Sequence, residues 1–360
     1  MTAPAILVLT TVHTPDDTRI RERLVRSLEE IGRVTYATRV PGPSDMSGLS
    51  WARLPGGRIR RNLAALMLLV RGKWDIAILH DPETIPAGVL ARLTRRAVVV
   101  FDVHEDLPAQ IAYKDWVPAP LAGMFRGIAR GLYRLAERFL VLTLAEPGYD
   151  RLFDKSHPVF PNFPRSSSFP APLESGDGSA VYVGDITRAR GLEDALEATA
   201  RSGIRFVAVG RGEETLVEAM TSRARDLNAE LELTGPVSNP EALKRMSVAS
   251  VGLSPLRDEA NYRHSLPTKT LEYLAMGIPV VASDLPGTRA VLEGLDAVWL
   301  VPPGDIDAMA SAFVQAVRPE VKRTAVEQVT ELRTRFRWPE DEVRAFYSAL
   351  AGQRGIPAPN

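Results

Sequence analysis

The sequence predicts an α/β protein of two doubly wound, parallel-sheet (Rossmann-like) domains facing each other across a cleft. Three observations predict it. Short apolar runs alternate with helix-period segments along the whole 360-residue chain, and unbroken apolar runs of strand length read as parallel strands covered on both faces. The alternation happens twice, in halves separated by "FPNFPRSSSFPAPLESGDGS" (160–179), whose Pro, Ser and Gly content is that of a linker. The length also exceeds that of a single compact core.

Strands are expected in the first half at 5–10, 34–38, 75–80, 97–103 and 139–143, with a helix over 18–30. Ligands of such sheets bind beyond the carboxyl ends of the strands. Three polar clusters stand there: His13, Asp16 and Arg19 in "HTPDDTR", His80, Asp81 and Glu83 in "HDPE", and His104 and Glu105 in "HED". Imidazole and carboxylate together suit a hydrolytic metal or a wall that recognises a sugar or acceptor beside a general base. Helix capping by Asp16 or Asp17, and by Asp81 or Thr84, accounts equally well for single members. The segments 58–74 and 125–138 read as basic amphipathic helices. In the second, Arg126, Arg130, Arg134 and Arg138 recur every four residues. Such helices could touch anionic lipid or an anionic acceptor, and a solvated face explains them as readily.

In the second half, strands are expected at 179–184, 205–210, 230–235, 248–254, 279–283 and 297–301, then helices over 305–317, 320–334 and 339–351 and a frayed tail at 355–360. In "YVGDITRARGLEDALEA" (182–198) a strand ends at Gly184, Arg188 and Arg190 follow, and Gly191 opens a helix. A helix N-terminus attracts anions, and arginine beside it makes a phosphate clamp. In "HSLPTKTLEYLAMGIPVVASD" (264–284), Pro267 and Thr268 suit a helix start, Lys269 adds a cation, and Glu272 lies one turn on. A carboxylate there can accept from a diol such as ribose. An intrahelical Lys–Glu pair is the plainer account, but it does not explain why the pair stands at a strand end.

Several classes are excluded or weakened. The formal net charge is zero, which argues against a nucleic-acid binder. With no cysteine there is no disulfide, thiolate nucleophile or thiolate metal site, which fits a cytoplasmic location. The N-terminal residues lack the basic-then-apolar pattern of a signal peptide. The apolar run "LAALMLLV" (63–70) falls short of the roughly 20 residues a span needs. No dinucleotide fingerprint follows the first strand, and the P-loop glycines are missing before Lys269-Thr270, where 268 is Thr and 263 is Arg.

"DTRIRERLVRSLEEIG", "HDPE", "FDVHED", "VFPNF", "YVGDITRARGL", "LPTKTLEYLAMGIPVVASD" and "FRWPEDEVRAFYSAL" together resemble the retaining glycosyltransferases of family four, which have the two-domain GT-B fold. The resemblance covers essentially the whole chain. It implies an N-terminal acceptor-side domain over 1–163, a linker over 164–178, a nucleotide-sugar domain over 179–334, and a final segment, 335–360, that crosses back to the first domain. It implies transfer of a sugar from a nucleotide diphosphate donor, of UDP or GDP type, to a hydroxyl acceptor with retention. No metal and no further cofactor are implied. Arg190 and Lys269 would face the diphosphate and Glu272 the ribose. His104 would approach the transferred sugar, and the base would lie near Gly210, Gly235 and Val237. Two positions depart from the family pattern. His264 stands where many relatives have the first glutamate of a pair, and Gly184-Asp185 replaces a Gly-Arg, which leaves Arg188 as a substitute. A nucleotide-sugar epimerase and a non-catalytic nucleotide-sugar-binding subunit stay open as alternatives.

Overall fold

The structure is a computed structural model that describes residues 3–40, 42, 49–95, 97–111, 119–165, 169–260, 262–266 and 268–352. Pro267 and the 355–360 tail lie outside the described residues. The chain forms two compact units, one made of Met1–Asn162 with Trp338–Asn360, the other of Phe163–Arg337.

The first unit holds a parallel sheet of β1 (Ala5–Leu9), β2 (Arg33–Thr38), β3 (Ser50–Arg53), β4 (Ile76–Leu79), β5 (Val98–Val103) and β6 (Val141–Leu144), in the order β3-β2-β1-β4-β5-β6. The central strands are buried along nearly their whole length, as their continuous apolar runs require. Strand β3 is not anticipated from sequence: "SWAR" pairs with β2 at the sheet edge and is half-exposed, so it shows no apolar run. The first helix also differs. Thr18–Val25 is wound as a π-helix and continues as the α-turn Arg26–Glu29, with the Asp17 carboxylate accepting from the Ile20 N–H at its start.

One sheet face is covered by helices Arg58–Arg71, Ile85–Arg95 and Ala122–Phe139, whose Ala65, Val89 and Tyr133 join a cluster with Leu7, Leu79 and Phe101. The other face takes Ile20, Leu24 and Leu28 together with the last helix, Glu340–Gly352, through Val343, Tyr347 and Leu350. Trp338 fastens that last segment. Its indole N–H donates to Ser27 Oγ at 2.9 Å, and the Arg19 guanidinium lies 5.7 Å from its ring centroid.

The second unit repeats the plan with β7 (Ala180–Val183), β8 (Phe206–Val209), β9 (Leu231–Leu233), β10 (Val251–Ser254), β11 (Val280–Ser283) and β12 (Val298–Val301), ordered β12-β11-β10-β7-β8-β9. Both sheets are therefore doubly wound, with their switch points beside β1 and β7. The helix expected over 320–334 is two, Pro319–Glu327 and Val329–Arg335, divided at Gln328. No helix among the described residues is long and apolar enough to cross a membrane.

Trp338→Ala removes a buried ring and one hydrogen bond, and should cost about 3–5 kcal/mol. A urea melt reads that loss. Amide exchange in 340–352 should speed up more than in β1, because the helix loses its anchor before the sheet does.

Candidate functional site

In the second unit the site begins with glycines. Gly184 (φ +138°) ends β7 and Gly210 (φ +151°) ends β8, backbone conformations that side-chain-bearing residues avoid. A Cβ on Gly210 would stand 1.9 Å from the Gly184 carbonyl oxygen, so the two chain ends pack backbone against backbone. Arg188–Arg190 then makes a 3₁₀ turn, and Gly191 (φ +69°) opens helix Leu192–Ser202. A Cβ on Gly191 would meet the Pro255 carbonyl oxygen at 2.0 Å, which shows how tightly this turn is held against the end of β10.

Lys269 enters from helix Thr268–Ala275. Its side chain is buried, and Nζ lies 4.0 Å from the centroid of the Tyr182 ring with no hydrogen-bond partner among the described residues. Nζ also lies 3.2 Å from the point where a Gly184 Cβ would be, so it sits directly above the end of β7. The Arg190 guanidinium stands 5.2 Å from the centroid of Tyr262. Burial, followed by the nearby Arg190 charge, pushes the Lys269 ammonium well below its usual range, against the opposing fields of Glu272 and Asp185. A buried charge costs several kcal/mol, while a cation–π contact returns about 0.5–2. An anion would close the difference. Leu271, Leu274 and Met276 anchor the helix in the core, and Gly277 (φ +67°) ends it ahead of β11.

The first unit gathers imidazoles and carboxylates beyond β1, β4 and β5. His104 Nδ1 faces the Asp102 carbonyl oxygen at 3.1 Å, and its Nε2 faces His13 Nε2 at 3.0 Å. His13 Nδ1 faces Asp17 Oδ2 at 3.0 Å. A carbonyl and a carboxylate only accept, so both Nδ1 atoms carry protons. Asp17 stands against this pair of rings. Burial opposes charge on His13, yet Asp17, Asp81 and Glu105 together raise its pKa. Burial likewise opposes charge on Asp17, and His13 lowers its pKa.

Beneath them lies a buried ion pair. Arg19 Nε and Nη2 reach the two Asp102 oxygens at 2.9 and 2.8 Å, and the Thr143 hydroxyl donates to Oδ1 at 2.9 Å. Burial would raise the Asp102 pKa, but the Arg19 guanidinium outweighs it and holds the carboxyl well below the usual range. His80 is fully buried, with Nδ1 3.3 Å from Asp102 Oδ2, and burial lowers its pKa. His80, Asp102 and His104 are near enough to share a metal, but the Asp102 charge is already balanced by Arg19. A metal there would have to displace that pair.

The predicted residues therefore divide. Gly184, Arg190, Gly210, Lys269 and Glu272 cluster at the strand ends of the second unit, with Gly235 bonded to the Gly210 N–H at 3.0 Å and Val237 half-buried beyond it. Arg188 turns instead to Glu193 at 2.7 Å. His264 is exposed, on a turn whose Arg263 carbonyl accepts from Gly287. In the first unit His13 and His104 meet. Arg19 and His80 are core residues, and Asp81 caps the Thr11 N–H at 2.6 Å. Glu83 is tied to Thr11, Arg58 and Asn62. Asp16 is exposed while its neighbour Asp17 does the work, and Glu105 offers its backbone carbonyl to Tyr133. Sequence reasoning missed Asp102, Tyr182 and Tyr262. An aspartate inside "VVVFDV" was the available signal for the first.

The second unit is thus a doubly wound sheet with a buried lysine, partnerless among the described residues, at its strand ends. Residues 178–318 match the family model described as glycosyl transferases, group 1. The chain is 26% identical over 299 residues to phosphatidyl-myo-inositol mannosyltransferase of Mycolicibacterium smegmatis (79% of this chain, 73% of that one). To the Mycobacterium leprae protein of the same name it is 25% identical, over 80% and 74%. Among solved structures, sucrose-phosphate synthase of Thermosynechococcus elongatus superposes with a TM-score of 0.78 at 17% identity, covering 97% of this chain and 98% of that one. Anabaena HepE in complex with UDP and glucose gives 0.75 at 13%, covering 97% and 99%. The fold is thus the two-unit GT-B fold of those glycosyltransferases.

Two expectations follow. Lys269→Met removes a buried polar head without a partner among the described residues and should raise the melting temperature. A thermal melt that falls would show the ammonium to be stabilising. For His13 the raised pKa means its contribution is fully present below the unfolded value of 6.5 and lost as pH rises through the folded value. For Asp17 the lowered pKa means its contribution is present above 3.8 and lost as pH falls. His13→Gln should therefore destabilise most between roughly pH 4 and 6.5, with the gap to wild type closing on the alkaline side in urea melts taken across pH.

Proposed function

We propose that the protein is a glycosyltransferase that moves a sugar from a nucleotide diphosphate donor to a hydroxyl acceptor with retention of configuration and without a metal. The observation that carries this is Lys269, whose buried ammonium lacks a partner among the described residues and lies in a segment matching the group 1 glycosyl transferases. The diphosphate would take the charge of Lys269 and Arg190 and the N–H groups at Gly191. Glu272 would accept from the ribose hydroxyls, and the base would lie along Gly210, Gly235 and Val237.

In the transfer step the bond from the anomeric carbon to the donor's diphosphate oxygen breaks, a bond to the acceptor oxygen forms on the same face, and the acceptor's hydroxyl proton passes to the departing diphosphate. Negative charge grows on the leaving oxygen. Lys269 is buried and Arg190 half-buried beside it, so they would stabilise that charge with little reorganisation, the largest usual source of catalysis. They supply the charge that a metal supplies elsewhere. His104 faces a constraint: both its ring nitrogens are occupied by Asp102 and His13. For it to touch the sugar, its Nε2 must exchange His13 for a substrate oxygen.

The relatives' names point to a mannosyl donor and a lipid-borne inositol hydroxyl, and one solved neighbour binds UDP and glucose, so UDP and GDP sugars both belong in the screen. The exposed apolar residues Ile59, Leu63 and Met67 on the basic helix Arg58–Arg71 suit contact with a membrane surface that carries such an acceptor.

Lys269→Ala should lower kcat by roughly 10²–10³ while changing nucleotide affinity far less. Unchanged turnover with only a raised KM would remove Lys269 from the chemistry. Transfer should persist in excess EDTA; a strict need for a divalent ion would overturn the metal-free reading.

A further inference from the structure

Helix Ala122–Phe139 carries a feature that sugar transfer does not use. Arg126, Arg130 and Arg134 project from one stripe of it, four residues apart. Like charges at that spacing repel and destabilise a helix by about 0.2–0.5 kcal/mol per pair. At several other helices the chain places a carboxylate four residues from an arginine, as in Arg26–Glu22, Arg201–Glu197, Arg245–Glu241 and Arg289–Glu293. On this helix it does not. Among the described residues, none of the three guanidinium groups has an ion-pair or hydrogen-bond partner.

The three line a cavity of about 510 Å³, within the usual size of ligand sites. Its carboxylates are already spent. Asp106 caps Ala109 and pairs with Arg151, and Glu137 accepts from the Asp154 and Lys155 N–H groups and faces His157 at 3.1 Å. Tyr133, at the base, donates to the Glu105 carbonyl. Four arginines thus face three carboxylates, Asp106, Glu137 and Asp154, and the lining keeps one net positive charge. The groove therefore presents forked donors and net positive charge to whatever enters it. A guanidinium fork pairs with carboxylate or phosphate, and a phosphate, with oxygens facing several directions, can engage more than one of the three arginines at once.

We propose that this groove binds a phosphate group of a phosphomonoester or phosphodiester, presented by a soluble molecule or by a lipid headgroup. The site lies wholly within the first unit and is separate from Lys269. It goes beyond the transfer reading, and binding alone tests it, so either can fail without the other.

Two measurements on the full chain distinguish the sources. In the first, glycerol phosphate is titrated while the Nε–H resonances of the arginines are followed by NMR. In the second, flotation compares vesicles of pure phosphatidylcholine with vesicles containing phosphatidylglycerol. Both are repeated with Arg126→Gln/Arg130→Gln/Arg134→Gln and with a control of equal charge change, Arg201→Gln/Arg205→Gln/Arg223→Gln. Thermal melts confirm that each variant is folded.

Saturable shifts at the three groove arginines, at least tenfold weaker binding in the groove variant and unchanged binding in the control support a soluble phosphate ester. Flotation that needs phosphatidylglycerol and is lost in the groove variant alone supports a lipid phosphate. No shift together with no flotation overturns the proposal, as does equal binding by the groove variant and wild type.

Discussion

The arrangement of the second unit turns on an ammonium group without a counter-ion. Lys269 is fixed in a buried position by a helix whose Leu271, Tyr273 and Leu274 are core residues, so Nζ cannot swing into water without unpacking them. What surrounds it is suited to an incoming anion rather than to the free protein. The glycines at the ends of β7 and β8 keep side chains out of its way. Tyr182 gives it a π-face, and Arg190 adds a second cation that makes the free state worse. Conformational cost at Gly184, Gly191 and Gly210 and electrostatic cost at Lys269 fall on the same few residues, the pattern expected where a fold keeps a site ready for a ligand.

The first unit solves its own buried charge differently. Arg19 and Asp102 neutralise each other inside the sheet edge, and removing either partner of such a pair is far more harmful than the pair is beneficial. Its consequence is positional. The pair fixes the end of β5, whose Asp102 carbonyl faces His104 Nδ1, and His104 Nε2 in turn faces His13. The same pair is joined to the C-terminal segment, since Arg19 lies over Trp338. A helix from the end of the sequence thus supports the histidines near its beginning.

How much of this was legible depended on range. Most strands of both sheets announce themselves by continuous apolar runs, but the half-buried edge strands β3 and β9 have none, and β3 went unread. Lys269, Glu272, Arg190 and the glycines were readable because local rules place them: a strand end, a helix start, a turn that only glycine fits. The partners of the polar clusters were not. Nothing local tells that Arg19 would cross to Asp102 or that His13 would meet His104, because those pairings join segments 83 or more residues apart. Tyr182 and Tyr262 were missed because an aromatic beside a cation looks like ordinary core until the distance is known.

The most direct test of the account is the titration of the Lys269 amine itself, followed by NMR in protein with selectively labelled lysine, first free and then saturated with UDP or GDP. The account predicts that the free amine titrates well below 10.5 and moves upward when a nucleotide diphosphate binds. An amine that titrates near 10.5 in the free protein, or that does not move on saturation, would contradict the claim that Lys269 is a buried cation awaiting an anion.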